Sequence, residues 1–268
     1  MKLAFVASMA AVLAVSAPTG DARADDRLRA VIDDPARPDA HTARDPYRNP
    51  YATLTFFGIE PDMTVVELAP GGGWYTEILA PYLAGEGQYV GAHIDPEADG
   101  LPDFYYEMYD NWADRLSNAE RYGDAETVGF VPPETTRLGE PGSADMVVTF
   151  RSTHSWKRDG VFDDVLEAAH EVLAPGGVLG LVQHRLPEDA ESETNGYVRQ
   201  SWVVARAESN GFRLVEASEI NANPDDTADH PNGVWTLPPS LNVPEGEDVE
   251  AYRAIGESDR MTLKFVKR

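Results

Sequence analysis

The sequence predicts an α/β fold, a mostly parallel sheet with helices on its faces. Two observations carry this expectation. Residues 65–95, VVELAPGGGWYTEILAPYLAGEGQYVGAHID, read as strand, glycine turn, helix and strand. That is a βαβ unit, and its crossover implies parallel neighbours. Further apolar runs at 128–131, 144–150 and 178–183 alternate with helical patterns, the order of a sheet layered by its own connections.

The chain opens on Lys2 and an apolar run over residues 3–15, followed by the small-x-small triplet Ala22-Arg23-Ala24. The run is too short to span a bilayer, and the pattern is that of a secretory signal peptide. Residues 1–24 are therefore expected to direct export and to be cleaved after Ala24, leaving a periplasmic or secreted chain. No later segment is apolar enough to span a membrane.

Residues 25–58 read as an arm ending in a helix. Pro35, Pro38, Pro46 and Pro50 interrupt regular structure beyond a helical turn at 27–32. Arg44, Asp45, Tyr47 and Arg48 concentrate polar groups just before the core, either as surface ion pairs or as an arm closing over a ligand. Residues 51–58 predict a helix packing Leu54, Phe56 and Phe57 on the sheet.

Residues 59–268 read as one α/β domain with an insertion at about 221–258. Val65 and Val66 form a strand ending in Glu67. Gly71, Gly72 and Gly73 make the turn, and Tyr75, Ile78, Leu79 and Tyr82 mark a helix closed by Gly85 and Gly87 before a second strand at 88–94. Residues 97–127 suggest helix, with Phe104, Met108, Trp112 and Leu116 on one apolar face. A third strand is expected at 128–131 and a fourth at 144–150. An amphipathic helix at 160–173 turns Val161, Val165, Leu166, Ala169 and Val172 inward and carries a structural His170. The turn at 174–177 opens a fifth strand at 178–183. A helix at 197–211, a sixth strand at 212–220 and an alternating last strand at 260–266 complete the domain.

A glycine turn at the carboxyl end of a strand exposes backbone to a ligand, and the next helix offers unpaired N–H groups. Read from Glu67, this turn is E-L-A-P-G-G-G. An acid there repels a pyrophosphate but suits a cation or amino group, and the G-x-G-x-x-G spacing of nicotinamide enzymes is missing. A turn that only connects strand to helix is the plainer alternative.

The pattern resembles the first motif of class I S-adenosylmethionine-dependent methyltransferases, with Ala69 at the first glycine position. More narrowly, the FFGI, PDMTVVE and PGGGWYTEIL segments within residues 56–79, THSW at 153–156 and VWTLPPS at 234–240 resemble a group of exported proteins predicted to be methyltransferases. The resemblance covers roughly residue 44 to residue 268. It implies a Rossmann-like sheet of seven strands, mostly parallel, with the last strand antiparallel beside the sixth. It implies S-adenosylmethionine in the crevice formed by Glu67, Ala69, Pro70, Gly71, Gly72 and Gly73, with Thr153 beside it. His93 stands where the family carries a ribose-binding acid, and Asp95 follows two residues later. Either Asp95 reaches the ribose, or His93 hydrogen-bonds it, or ribose binding is weak. The adenine is expected near the loop at 132–142, with Glu134, Thr135 and Thr136 as candidates.

Ligands of open parallel sheets bind beyond the carboxyl ends of the strands, which directs attention to residues 150–156. His154 is a candidate general base and Arg151 a candidate clamp for an anionic substrate. Packing of His154 and Trp156 under a lid is the alternative. His184 and Arg185 follow the fifth strand on the same side. Within the insertion, His230, Trp235 and Asp226 are candidates for substrate contact, His230 also for catalysis, because long irregular loops are more often functional than idle.

Composition narrows the partners. With 46 acidic against 22 basic residues the formal net charge is −24, which disfavours nucleic acid and anionic membranes. There is no cysteine, so no disulfide, thiolate metal site or thiol nucleophile is available, and the six histidines show no paired ligand spacing for a metal. The expectation is methyl transfer from S-adenosylmethionine to a small-molecule acceptor. A ligand-binding protein on the same scaffold that transfers nothing is the alternative.

Overall fold

The computed structural model describes residues 22–268. The expected signal segment lies outside the described residues except for residues 22–24, which open the first helix, α1 (Ala22–Ile32). This helix is longer than the turn expected at 27–32, because Leu28 and Ile32 find apolar partners and are buried. Two short helical turns follow, α2 (Asp39–Thr42) and α3 (Asp45–Arg48), and then α4 (Pro50–Phe57), which buries Leu54 and Phe57. Each starts at or near a proline, the residue that ends one segment and pre-sets the next.

The βαβ unit forms as read, with β1 (Thr64–Leu68), α5 (Thr76–Leu83) and β2 (Gln88–His93). Beyond it lie α6 (Asp103–Leu116), α7 (Ala119–Tyr122), β3 (Glu126–Gly129), β4 (Ala144–Phe150), α8 (Thr153–Asp159), α9 (Phe162–Val172) and β5 (Leu173–Leu186). A two-residue β6 (Val198–Arg199), α10 (Gln200–Ser209), β7 (Phe212–Ser218), a 3₁₀ turn (Gly233–Thr236), α11 (Val249–Ile255) and β8 (Arg260–Lys267) complete the chain.

The sheet order is β3-β2-β1-β4-β5-β8-β7, with β6 paired to β5 off this path. The pairs from β3 to β5 are parallel, and β8 is antiparallel to both β5 and β7. This is the mostly parallel α/β sheet expected, with helices on both faces. On β1 the side chains alternate between two cores, Val65 toward α1, α4 and α5, Val66 toward α9, so both faces of the strand are covered. The chain crosses from one side of β1 to the other between β3 and β4. That reversal leaves a crevice beyond the carboxyl ends of β1 and β4, where an open sheet takes its ligands.

Three boundaries differ from expectation for physical reasons. Phe104 is 56 % exposed although Trp112 and Leu116 are buried. Steps of four overshoot a helical turn, so over three steps the stripe drifts by about 120° and Phe104 leaves the buried face. The third strand runs over Glu126–Gly129 rather than 128–131, because its pairing with β2 begins at Val90 with Glu126. The expected turn at 174–177 is absorbed into a longer β5 as an irregularity, with register lost between Ala144 and Met146. No helix among the described residues is long and apolar enough to cross a membrane.

Candidate functional site

A cleft of about 270 Å³ lies at this crevice. Its floor is the backbone of Ala69, Pro70, Gly71 and Gly72 and the end of β4 at Phe150 and Arg151. His41, Arg44 and Arg48 from α2, α3 and the turn between them form one wall, and His154, His184 and Trp235 form the other. A smaller space of about 90 Å³ adjoins it and shares Arg44, Arg151, His184 and Trp235.

The loop earns its shape from backbone conformation. Ala69 is held in the left-handed region at φ +49°, with its N–H donating to the Ala92 carbonyl at 2.9 Å. Gly71 follows at φ +57°. An alanine at such a φ costs about 1 kcal/mol, which glycine does not incur. Ala69→Gly is accordingly expected to stabilise the fold by about 1 kcal/mol in chemical denaturation. Unchanged or reduced stability would contradict the strain assigned to this position.

Glu67 is almost fully buried beneath the loop and is not among the residues lining the cleft. Its Oε2 accepts from Thr76 Oγ1 at 2.8 Å and from Tyr89 OH at 2.7 Å, and Trp112 Nε1 donates to Thr76 Oγ1 at 3.1 Å. The carboxyl therefore ties β1 to the start of α5 and to β2. Burial pushes its pKa up to about 7, against the lowering effect of the Tyr89 and Thr76 hydrogen bonds. A carboxyl whose folded pKa lies above its unfolded value binds more protons when folded, so stability falls as pH rises from about 4.5 to 7. The cost at pH 8 is about 3 kcal/mol. Glu67→Gln should flatten this slope in urea titrations run between pH 5 and 8, and an identical slope in the variant would refute the assignment.

His93 is also buried. Its Nδ1 accepts from the Ile94 N–H at 2.8 Å, which leaves Nε2 protonated to donate to the Gly71 carbonyl at 3.2 Å. The rings of Tyr109 and Trp112 lie 5.3 and 4.9 Å away, and burial lowers its pKa, consistent with a neutral imidazole. His93 thus braces the glycine loop from behind. Asp95 accepts from Glu97 N at 2.9 Å and caps its own turn. Neither lines the cleft.

Arg151 occupies the left-handed region at φ +66°, where its N–H donates to the Val182 carbonyl at 2.7 Å. This bend turns the chain off β4 at the cleft. Burial lowers the Arg151 pKa to about 9, aided by Arg260 and Arg44. His154 follows in the first turn of α8, with its ring 5.8 Å from that of His184 and edge-to-face with Trp235 at 5.6 Å. Burial brings its pKa down to about 4. Gln183 Nε2 donates to the Gly196 carbonyl at 2.9 Å and lies 3.4 Å from His154 Nδ1. Thr153 is fully buried beneath, at the start of α8.

The insertion divides. Trp235, in the 3₁₀ turn, reaches the cleft. His230 and Asp226 do not line it: they pair with each other at 2.8 Å, and Tyr197 OH donates to the same carboxylate at 3.0 and 3.1 Å. They fix the insertion to the domain. Thr135 exchanges backbone hydrogen bonds with Val131, and the loop at 132–142 does not reach the cleft.

Sequence reasoning missed the combination of Arg260 and Glu257 with the arm. Glu257 accepts from Arg44 Nε and from Arg260 Nη2, and its Oε2 lies 3.5 Å from Arg48 Nε. Trp74 Nε1 donates to the His41 carbonyl at 2.8 Å, and the Arg48 guanidinium stacks 4.6 Å over the Trp74 ring. These contacts clamp the arm over the glycine loop. The charged run at 44–48 signalled an arm with a role, but its partners lie about two hundred residues downstream.

The cleft meets one end of the expected cofactor well. Bare, left-handed backbone at Ala69 and Gly71 suits a ligand tail laid against the loop. His93, one of the two candidate ribose contacts, is occupied by the loop itself.

No protein-family model matches the chain, and no curated protein matches it. Solved structures do share its fold. A "SAM dependent methyltransferase from Aquifex aeolicus" has a TM-score of 0.57 at 14 % identity, over 91 % of this chain and 98 % of its own. The PH0226 protein from Pyrococcus horikoshii has a TM-score of 0.53 at 12 % identity, over 87 % and 93 %. The [4+2]-cyclase SpnF has a TM-score of 0.55 at 12 % identity, over 82 % and 80 %. At these identities the likeness concerns the fold, and a cyclase among the three shows that the fold carries more than one chemistry.

Proposed function

We propose that the chain is an S-adenosylmethionine-dependent methyltransferase acting on a small-molecule acceptor, exported as its N-terminal sequence suggests. The observation that carries this reading is the cleft itself, a glycine-loop crevice at the carboxyl ends of β1 and β4 floored by Ala69, Pro70, Gly71 and Gly72. When bound, the cofactor would supply an electrophilic sulfonium methyl group. The chain's own contribution is to hold an acceptor in line and exclude water. Arg151 and the arm arginines bind and orient. His154, neutral above about pH 4, has Nδ1 beside Gln183, which favours a proton on Nε2 and an orienting role over that of a base. Trp235 and the arm close the cleft from above.

Calorimetric titration of the chain from Asp25 with S-adenosylmethionine and S-adenosylhomocysteine tests the reading. Micromolar binding of both is expected. Neither heat nor a thermal shift with either compound would overturn it.

A second reading is favoured by one observation. His93 is locked to Gly71 under Tyr109 and Trp112, where the resemblance expects a ribose. A non-catalytic binder of a smaller ligand would have this arrangement. It predicts that a bound ligand is retained without loss of a methyl group to any acceptor.

A further inference from the structure

The cleft is cationic in a strongly acidic chain. Arg44, Arg48 and Arg151 line it, with no aspartate or glutamate among its lining residues. The adjoining space adds Arg260 and a single carboxylate, Glu257. Other acids near the cluster are engaged elsewhere: Asp45 with Arg37, Asp259 with Arg185, Asp226 with His230. Four guanidinium groups therefore face one carboxylate, although the chain as a whole carries −24.

Four nitrogens of this cluster are buried without a hydrogen-bond partner among the described residues, Nη1 and Nη2 of Arg48, Nη2 of Arg44 and Nε of Arg260. Arg48 is itself 2 % exposed. Its face is satisfied by Trp74, but those N–H groups are not. Buried like charges with unmet donors are costly unless a counter-charge arrives. Burial, and then the neighbouring Arg151, hold the Arg48 pKa well below the ordinary arginine value. The strained backbone at Arg151 adds a second mark of a site whose geometry is held by its surroundings.

We propose that this cleft binds a small-molecule anion, a phosphate- or carboxylate-bearing ligand held by Arg44, Arg48 and Arg151. Resting on the methyltransferase reading above, the ligand that carries this anion is the methyl acceptor: a lone pair on its nucleophilic atom would take the sulfonium methyl as the S–CH3 bond breaks, S-adenosylhomocysteine would leave, and any proton on that atom would pass to solvent. Planar guanidinium groups match the oxygens of phosphate and carboxylate through paired hydrogen bonds. A polyanion is disfavoured, because the cleft is small and the chain as a whole carries −24. The cofactor's own carboxylate is another source of the same chemistry, but one carboxylate does not balance the excess over Glu257.

The probe is inorganic phosphate, titrated by calorimetry and thermal unfolding at an ionic strength held constant with sodium chloride. Saturable binding is expected, weakened at least tenfold in Arg151→Gln and in Arg44→Gln. The Arg44 side chain is 21 % exposed and its loss leaves the contacts of Arg37, Trp74 and Arg48 in place, so this variant keeps the test open if Arg151→Gln does not fold. Phosphate acting no differently from chloride, or binding unchanged in both variants, would overturn the proposal. The chain saturated with S-adenosylhomocysteine should still bind phosphate. If S-adenosylhomocysteine abolishes phosphate binding while 5′-methylthioadenosine, which lacks the carboxylate, does not, the arginines serve the cofactor and the acceptor assignment falls. If phosphate binds but S-adenosylhomocysteine does not, the methyltransferase reading fails and the anion site stands.

Discussion

Gly71→Val is expected to lower affinity for S-adenosylmethionine by more than a hundredfold while leaving the chain folded. Gly71 sits at φ +57° on the floor of the cleft. A β-branched residue strongly resists that conformation, so the peptide must rotate out of it. Its carbonyl would then leave His93 Nε2, and the loop would lose its brace as well as its bare surface. The conformational cost to the fold is about 1–2 kcal/mol. Gly85→Val is the control. Gly85 has φ +85° and open space around it, at the other end of α5. It should lose comparable stability and keep full affinity. Equal affinity in both variants would show that the loop does not hold the cofactor.

Glu257→Ala is expected to produce the largest loss of stability, about 3–5 kcal/mol, because it leaves buried cations without their counter-charge. Glu257 is 3 % exposed and joins Arg44, Arg48 and Arg260. Burial acts to raise its pKa, but Arg260, Arg44 and Arg48 outweigh it and hold the carboxyl at about 2. Its folded pKa therefore lies below the unfolded value of 4.5. The stabilisation is complete above the unfolded value and is lost as pH falls through about 2, an effect of roughly 3 kcal/mol. Chemical denaturation at pH 7 and pH 3 should show the gap between wild type and variant narrowing at the lower pH. A gap of equal size at both would assign the loss to packing rather than charge. Phosphate should also stabilise the variant more than the wild type, since it replaces the missing carboxylate.

Much of the fold was legible from local patterns. The βαβ unit, β4 and β8 follow from apolar runs and alternation that each strand carries in itself. The glycine turn announced the crevice, because Gly71 and Gly73 adopt the conformations that glycine permits. The positions that misled were those where burial depends on distant partners. Phe104 shared a spacing with Trp112 but not a neighbour. Glu67 was read as facing a ligand, yet Thr76 and Tyr89 supply hydrogen-bond donors that turn it inward. For the ribose the sequence left His93, Asp95 and weak binding open, and the structure places the His93 Nε2–H on the Gly71 carbonyl.

The sequence by itself determined the α/β class, the position of most strands along the chain and the place of the glycine turn, because periodicity and glycine act over a few residues. Only the tertiary structure decided the character of that crevice. Arg44 and Arg48 come from the arm, Arg151 from the end of β4, and Glu257 and Arg260 from the entry to β8. No local pattern links them. Their shared electrostatic field arises because the folded sheet brings these segments within hydrogen-bonding reach and removes the water that would otherwise screen them.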